Sequence, residues 1–183
     1  MGKTRIAVVG LGHAANDFHI PVLFDFEDVE ISICDRWEKR LEEGRTKWHL
    51  PAERCFGDLD ELMSRIDPDG AFVTIPQYTW RGREETPYLE VVKAVLAHGK
   101  PVFVEKPLAM NYLDAQMLAA VAEKSGVATT QVGFQRRFNP LLREGLKRVR
   151  QRGPLLNCSF AFAKGDGPYD AETNVLPIPP YDH

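Results

Sequence analysis

The feature that most constrains this chain is a glycine-rich turn at residues 10–15, with the sequence GLGHAA. It follows a short apolar run over residues 5–10, typical of a buried parallel strand, and precedes a helical segment. In a G-x-G-x-x-A turn the first glycine allows a tight bend and the second lets the backbone approach a pyrophosphate. The small final residue lets helix and strand pack closely, and the helix N-terminus offers free N–H groups to the anion. The turn predicts a phosphate-binding loop with five candidate residues, namely Gly10, Gly12, His13, Ala14 and Ala15.

A carboxylate stands where a dinucleotide site needs one. Asp35 follows Ala15 by 20 residues and ends the strand-like run over residues 29–34. An acid there can accept hydrogen bonds from both ribose hydroxyls of NAD and would repel the 2′-phosphate of NADP. The neighbouring Arg36 could stack on adenine or pair with that 2′-phosphate, so the sequence favours NAD and leaves NADP open. The alternative interpretation is a glycine turn followed by an ordinary strand-end aspartate.

The hydrophobic pattern alternates between strand-like and helical periods along most of the chain. Helical segments separate five strand-like runs, which lie at about residues 5–10, 29–34, 71–75, 101–105 and 127–134. This alternation predicts βαβ units and an α/β fold with a doubly wound parallel sheet, covered by helices on both faces. We assign residues 1–130 to this dinucleotide-binding Rossmann domain.

The remaining residues, 131–183, predict the start of an incomplete second α/β domain. A crossover helix begins at Asn139 and Pro140, with the proline in the first turn where its missing N–H costs nothing. A strand-like run follows over residues 155–163, and the tail beyond it is irregular and cannot bury a core alone. Because an apolar strand without neighbours is an exposed edge, we expect the chain to form a homo-oligomer through residues 155–163.

Composition excludes several classes of function. The 183 residues carry a formal net charge of −3, which provides no positive field for holding a nucleic acid. No apolar run approaches the roughly 18–20 residues that span a bilayer. Cys34, Cys55 and Cys158 are far apart and indicate reduced thiols in a cytoplasmic protein, not a disulfide frame or a zinc site. We therefore expect no metal, no nucleic-acid partner and no membrane partner.

Several short motifs carry a family resemblance. They are HIP at residues 19–21, TIP at 74–76, VEKPL at 104–108 and RRFNP at 136–140. Together with the glycine loop, these motifs resemble the Gfo/Idh/MocA family of nicotinamide-dependent oxidoreductases from about residue 4 to residue 164. Their common order and spacing are more specific than any one of them.

The resemblance implies roles for residues near the nicotinamide. Lys106 of the Glu-Lys-Pro motif would be the catalytic residue, which hydrogen-bonds the reacting oxygen and takes part in proton transfer. Glu105 would approach the nicotinamide ribose, and Thr74, Pro76 and Gln77 would line the cofactor cleft. The resemblance also implies a cis peptide bond between the lysine and the proline of the motif. From the tripeptide alone, the lysine would be a surface side chain at the end of a strand.

The sequence departs from the family in two places. The family usually carries a histidine a few residues after Thr-x-Pro, whereas residues 77–85 contain none. Family members also have a second α/β domain that supplies substrate contacts and a catalytic histidine, and no such motif surrounds the terminal His183. Four further histidines fall in the nucleotide domain. We interpret His13 as lying near the pyrophosphate. We interpret the other three as structural, namely His19, His49 and His98.

Three functions are compatible with these observations. The first is hydride transfer between nicotinamide and a sugar-, polyol- or cyclitol-like alcohol, with Lys106 orienting the oxygen. The second is a non-catalytic dinucleotide-binding module or truncated fragment. The third is NAD-dependent glycosidase chemistry, which the fold alone does not separate from net oxidation. We expect the first function, with NAD as cofactor and a small-molecule alcohol or sugar as substrate.

Overall fold

A computed structural model describes residues 2–76, 87–127, 129–154 and 157 of the chain. The chain divides into two compact units, residues 1–133 and 134–183. The first unit contains six strands: β1 (Thr4–Val9), β2 (Val29–Cys34), β3 (Cys55–Phe56), β4 (Gly70–Val73), β5 (Val102–Val104) and β6 (Thr130–Val132). Its helices are a π-helix (Ala15–His19), α1 (Ile20–Phe24), α2 (Glu38–Lys47), a 3₁₀ turn (Ala52–Arg54), α3 (Leu59–Ile66), α4 (Tyr88–Ala97) and α5 (Tyr112–Lys124). The described part of the second unit contains a 3₁₀ turn (Gln135–Phe138) and α6 (Pro140–Arg150).

The strands form one parallel sheet in the order β3-β2-β1-β4-β5-β6. In its centre, Val8 of β1 pairs with Ile33 of β2 on one side and with Phe72 of β4 on the other. The strand order reverses between β1 and β4, and open α/β sheets bind ligands in the crevice outside the carboxyl ends of the strands at such a point. This confirms the predicted doubly wound α/β fold.

Helices cover both faces of the sheet. Ala7 and Val9 belong to one apolar cluster and Val8 to another, because successive side chains of a strand point to opposite faces. The first cluster also contains residues of α3, α4 and α5, whereas the second contains residues of the π-helix and α1. Burial on both faces explains why β1 has a continuous apolar sequence instead of an alternating one.

Three helices begin with a side-chain cap, and the one at Asn139 is where the sequence predicts a helix start. Asp58, Asn111 and Asn139 each accept a hydrogen bond from a backbone N–H in the first turn of the helix that follows, at 2.8, 2.9 and 2.9 Å respectively. These side chains satisfy donors that the first turn of a helix leaves unpaired. Gly126, with a φ of 68°, follows the end of α5 in the left-handed conformation that glycine favours there.

Two local features differ from the sequence predictions. The short strand β3 was not expected, because two residues carry no recognisable period. The helical segment predicted after the glycine loop begins as a five-residue π-helix and continues as α1 to Phe24. Pro21 lies in the first turn of α1, where a missing donor is tolerated. The predicted strand at 155–163 and the irregular tail lie outside the described residues.

Candidate cofactor and active site

The glycine loop leaves space for a ligand above its backbone. Gly10 has a φ of +92°, and a Cβ there would lie 2.7 Å from Cγ1 of Ile75, so this position requires glycine. A Cβ on Gly12 would meet no atom within 4 Å. The first glycine therefore permits the turn, and the second faces open space that a phosphate group can fill. This geometry fits the pyrophosphate role predicted for the loop.

Asp35 holds the loop in place from the end of β2. Asp35 is buried, with only 6% of the residue exposed. One carboxylate oxygen, Oδ2, accepts a hydrogen bond from the N–H of Leu11 at 2.8 Å, and Oδ1 accepts one from the N–H of Trp37 at 2.9 Å. Each carboxylate oxygen can accept about two hydrogen bonds, so both keep capacity for a ribose hydroxyl.

The residues after Asp35 provide a cation and an exposed aromatic ring. The guanidinium of Arg36 lies 5.6 Å from the centre of the Trp37 ring, within the range of a cation–π contact. Trp37 is 56% exposed and precedes α2. The sequence analysis did not single out Trp37. Its large apolar side chain two residues after the strand-end acid was the available signal.

The other residues of the loop have different surroundings. His13 is exposed, and its Nδ1 contacts the carboxylate of Asp17 one turn later. Ala15 is fully buried against β1 and α1, as expected for the small residue at the end of the motif. Ala14, which is partly buried, directly precedes the π-helix. The loop therefore leads into a short π-helix where an α-helix was expected.

Thr74 ties the end of β4 to the glycine loop. Its hydroxyl donates to the carbonyl oxygen of Gly10 at 2.5 Å and also lies 3.2 Å from that of Val9. Thr74 is 5% exposed, so its hydroxyl holds the glycine loop from the buried side. Pro76 is exposed at the same edge, and Gln77 lies outside the described residues.

His19 and Glu105 form a mostly shielded pair that the sequence analysis did not predict. Nε2 of His19 lies 2.7 Å from Oε1 of Glu105, with side-chain exposures of 14% and 15%. The hydrogen bond from His19 holds the pKa of Glu105 below its ordinary value, more than burial raises it. The charges of His19 and Lys106 act in the same direction. The HIP and VEKPL motifs contain the two residues, but nothing in either motif indicates that they meet.

Lys106 is the second residue after β5, at the carboxyl edge of the sheet. Its backbone N–H donates to Oε2 of Glu105 at 3.2 Å, and the Lys106–Pro107 bond is cis, as the resemblance implied. The side chain is exposed, and its ammonium makes no hydrogen bond or ion pair with any described residue. The ammonium is thus available to a ligand at this edge.

The described thiols and metal-ligating side chains are the candidates for a second kind of site. Among the described residues, no group of three histidine, cysteine or acidic side chains could hold a metal ion. Cys34 and Cys55 are free thiols, and burial raises the pKa of Cys34 to about 12, so its thiol stays protonated. No helix in the described ranges is long and apolar enough to cross a bilayer.

Comparisons with known proteins agree with this geometry. Residues 4–134 match the family model of the Gfo/Idh/MocA oxidoreductases, described as an oxidoreductase family with an NAD-binding Rossmann fold. Inositol 2-dehydrogenase of Paracoccus denitrificans is 29% identical over 136 residues, which cover 74% of this chain and 38% of that protein. Inositol 2-dehydrogenase of Burkholderia cenocepacia is 32% identical over 155 residues, which cover 82% of this chain and 42% of that protein.

A solved structure extends the comparison to the fold. A Gfo/Idh/MocA family oxidoreductase from Vibrio cholerae superposes with a TM-score of 0.67 at 27% identity, over 82% of this chain and 44% of that one. The chain thus spans about two fifths of the length of the relatives that it matches.

Proposed function

Since this chain belongs to the Gfo/Idh/MocA oxidoreductase family, as its motifs predicted, we propose that it transfers a hydride between a nicotinamide cofactor and a sugar-, polyol- or cyclitol-like alcohol. The observation that carries the proposal is the common edge of the sheet. The open glycine loop after β1, the acid after β2 and Lys106 after β5, whose ammonium pairs with no described residue, all lie at the carboxyl ends of parallel strands. A nucleotide-binding loop and a proton-donating group share that edge.

The chemistry divides between the cofactor and the protein. When bound, the nicotinamide supplies the hydride chemistry. The loop backbone at Gly10 and Gly12 would hold the pyrophosphate, and Asp35 would accept hydrogen bonds from the ribose hydroxyls. Thr74 supports the loop through its hydrogen bond to Gly10, and Pro76 would line the cleft. The resemblance assigns Gln77 to the same cleft, but this residue lies outside the described ranges.

Lys106 acts on the alcohol oxygen. Its ammonium donates a hydrogen bond to that oxygen and exchanges a proton with it as the carbon gains or loses hydride. An ammonium suits this role because it carries three donors on a flexible stem and is not bound to another described residue. Oε1 of Glu105 contacts His19, so this oxygen does not pair with the Lys106 ammonium.

The names of the relatives support the substrate class. Two relatives that are 29% and 32% identical are inositol 2-dehydrogenases, which act on a cyclic polyol. We extend that class to this chain as a cyclitol, polyol or sugar with a secondary alcohol.

We favour NAD over NADP. The buried carboxylate of Asp35 places negative charge beside the position expected for the ribose, and a 2′-phosphate there would be repelled. Arg36 is the counter-argument, because a guanidinium is a good partner for a phosphate. The Arg36 guanidinium lies above the Trp37 ring, and this position favours stacking on a flat ring rather than pairing with a phosphate.

The proposal includes the organisation of the whole protein. We propose that residues 131–183 begin a second α/β domain, and that this domain supplies substrate contacts and a catalytic histidine. The proposal also assigns a homo-oligomer contact to residues 155–163. The separated thiols support a cytoplasmic location.

A turnover assay tests the proposed function. The protein, with the second domain that the proposal includes, is incubated with NAD⁺ and a panel of inositols, sugars and linear polyols, and the appearance of NADH absorbance is followed. We expect turnover with at least one polyol, and Lys106→Met should lower its rate by about 10²-fold or more because general acid–base catalysis typically contributes that much. Lys39→Met, on the exposed surface of α2, is the matched control.

The outcomes separate two of the functions considered. Turnover that survives Lys106→Met unchanged contradicts the role of the lysine. Cofactor binding without turnover on any substrate leaves this chain as a dinucleotide-binding module and overturns the proposed activity.

A further inference from the structure

One side-chain contact joins the segment after the glycine loop to the segment that carries Lys106. His19 is the last residue of the π-helix that follows the loop, and Glu105 directly follows β5. They are 86 residues apart, yet Nε2 of His19 lies 2.7 Å from Oε1 of Glu105. Because a carboxylate at this distance accepts a hydrogen bond, Nε2 carries the proton.

The pair lies in an apolar setting. The His19 ring packs against Phe72 of β4 and Phe103 of β5. The centre of the His19 ring lies 5.5 Å from that of Phe72 and 5.1 Å from that of Phe103. A Cβ on Gly133 would lie 3.0 Å from Cζ of Phe103 and 3.5 Å from Oε1 of Glu105, so this glycine leaves room for the pair. A carboxylate in such surroundings is costly unless it is hydrogen-bonded, and His19 meets that need.

The second oxygen of the same carboxylate reaches the proposed catalytic residue. Oε2 of Glu105 accepts the backbone N–H of Lys106 at 3.2 Å. One oxygen is thus fixed by the segment after the cofactor loop and the other by the backbone of the lysine. The flexible Lys106 side chain starts from this backbone, and its own ammonium contacts no described residue.

We propose that His19 is a positioning residue, which acts through the Glu105 carboxylate to fix the backbone from which Lys106 reaches the alcohol. This inference rests on the proposed function for the role of Lys106, but the contact itself is independent of it. Small displacements of a catalytic group lower the rate strongly, so a fixed backbone matters for a side chain with four rotatable bonds. Without His19, the Glu105 carboxylate loses its strongest partner and is free to rotate away from the Lys106 amide.

Three variants separate the hydrogen bond from simple packing. His19→Gln keeps an N–H donor at a similar reach, and His19→Leu removes the donor but keeps an apolar side chain beside the two phenylalanines. His98→Leu is the matched control, since His98 lies at the end of α4 with a side chain 39% exposed. Circular dichroism establishes that each variant is folded.

The first readout uses the chain without cofactor. The Lys106 amide resonance, followed by NMR as pH is lowered, reports ionisation of the carboxylate to which it donates. We expect a midpoint below the ordinary value for glutamate in the unmodified chain, in His19→Gln and in His98→Leu, and a higher midpoint in His19→Leu. An unchanged midpoint in His19→Leu overturns the proposal.

The second readout adds NADH and follows the amides of Gly12 and Lys106 together. We expect both to shift in the unmodified chain, in His19→Gln and in His98→Leu. In His19→Leu the Gly12 shift should remain while at least half of the Lys106 shift is lost. A full Lys106 shift in His19→Leu, or its loss in His19→Gln as well, overturns the positioning role. Absence of a Gly12 shift in the unmodified chain is instead a failure of the proposed function, and the pH titration then decides the inference alone.

Discussion

The carboxylate of Asp35 accepts the backbone N–H of Leu11 at 2.8 Å, which joins the end of β2 to the middle of the glycine loop. The acid that the sequence assigns to the ribose of the cofactor therefore also has a structural role. A single substitution at this position changes two properties, namely the shape of the loop and the charge beside the ribose.

Asp35→Asn tests the charge while it keeps an oxygen that can accept from Leu11. We expect affinity for NAD⁺ to fall by about tenfold to a hundredfold, because hydrogen bonds to charged groups contribute about 1.5–3 kcal/mol. Affinity for NADP⁺ should fall less or rise, because the repelling charge is gone. Calorimetric titration with both cofactors measures the ratio, with Asp60→Asn on the exposed first turn of α3 as control. An unchanged preference would contradict the ribose role.

Gly10→Ala and Gly12→Ala form a matched pair within one loop. Gly10→Ala places a methyl group 2.7 Å from Cγ1 of Ile75 at a φ of +92°, and we expect a loss of about 1–3 kcal/mol in the free energy of unfolding. Gly12→Ala projects into open space and should change that free energy by less than about 0.5 kcal/mol. Urea unfolding followed by circular dichroism gives both values. Equal effects at the two positions would show that the loop geometry is wrong.

Thr74→Val removes the hydroxyl that donates to the Gly10 carbonyl but preserves the size of the side chain. A buried acceptor that loses its partner costs about 1–3 kcal/mol, and we expect the free energy of unfolding to fall by that amount. Thr74→Ser keeps the donor and should restore most of the loss. If the valine and serine variants unfold at the same urea concentration, the hydrogen bond contributes nothing.

The lowered pKa of Glu105 gives the stability of the protein a defined dependence on pH. The unfolded chain protonates this carboxyl at its ordinary value of about 4.3, and the folded chain protonates it at a lower pH. Between these two pKa values the unfolded state holds more protons, so stability falls as pH is lowered through that window. The stabilisation is fully present above the ordinary value.

Glu105→Gln isolates that contribution. Urea unfolding of the unmodified chain and of the variant is compared over a series of pH values. The difference in the free energy of unfolding should be constant above about pH 5.5 and should shrink as pH falls below about 4.3. A difference that does not vary with pH would mean that the carboxyl ionises alike in the folded and unfolded chains.

The sequence was most informative where structure depends on neighbouring residues. The glycine loop, the acid after β2 and the side-chain cap at Asn139 each rest on local geometry that a short motif specifies. The strands of the buried sheet were visible as continuous apolar runs. The two-residue strand β3 was too short to carry such a pattern.

The contacts that the sequence did not reveal are those between distant segments. The hydrogen bond between His19 and Glu105 spans 86 residues, and that from Thr74 to Gly10 spans 64. Thr74 was expected in the cofactor cleft from its motif, but which way its hydroxyl points depends on the pairing of β1 with β4. Such contacts follow from strand order and register, which a motif does not contain.

The central claim is that the glycine loop binds a nicotinamide dinucleotide, and calorimetric titration of the 183-residue chain with NAD⁺ tests it most directly. Two glycine-to-aspartate variants at open positions form the comparison, Gly12→Asp in the loop and Gly57→Asp ahead of α3. The account predicts saturable binding by the unmodified chain and by Gly57→Asp, and none by Gly12→Asp, because a carboxylate there crowds and repels the pyrophosphate. No binding of NAD⁺ by the unmodified chain, or equal binding by Gly12→Asp, would contradict it.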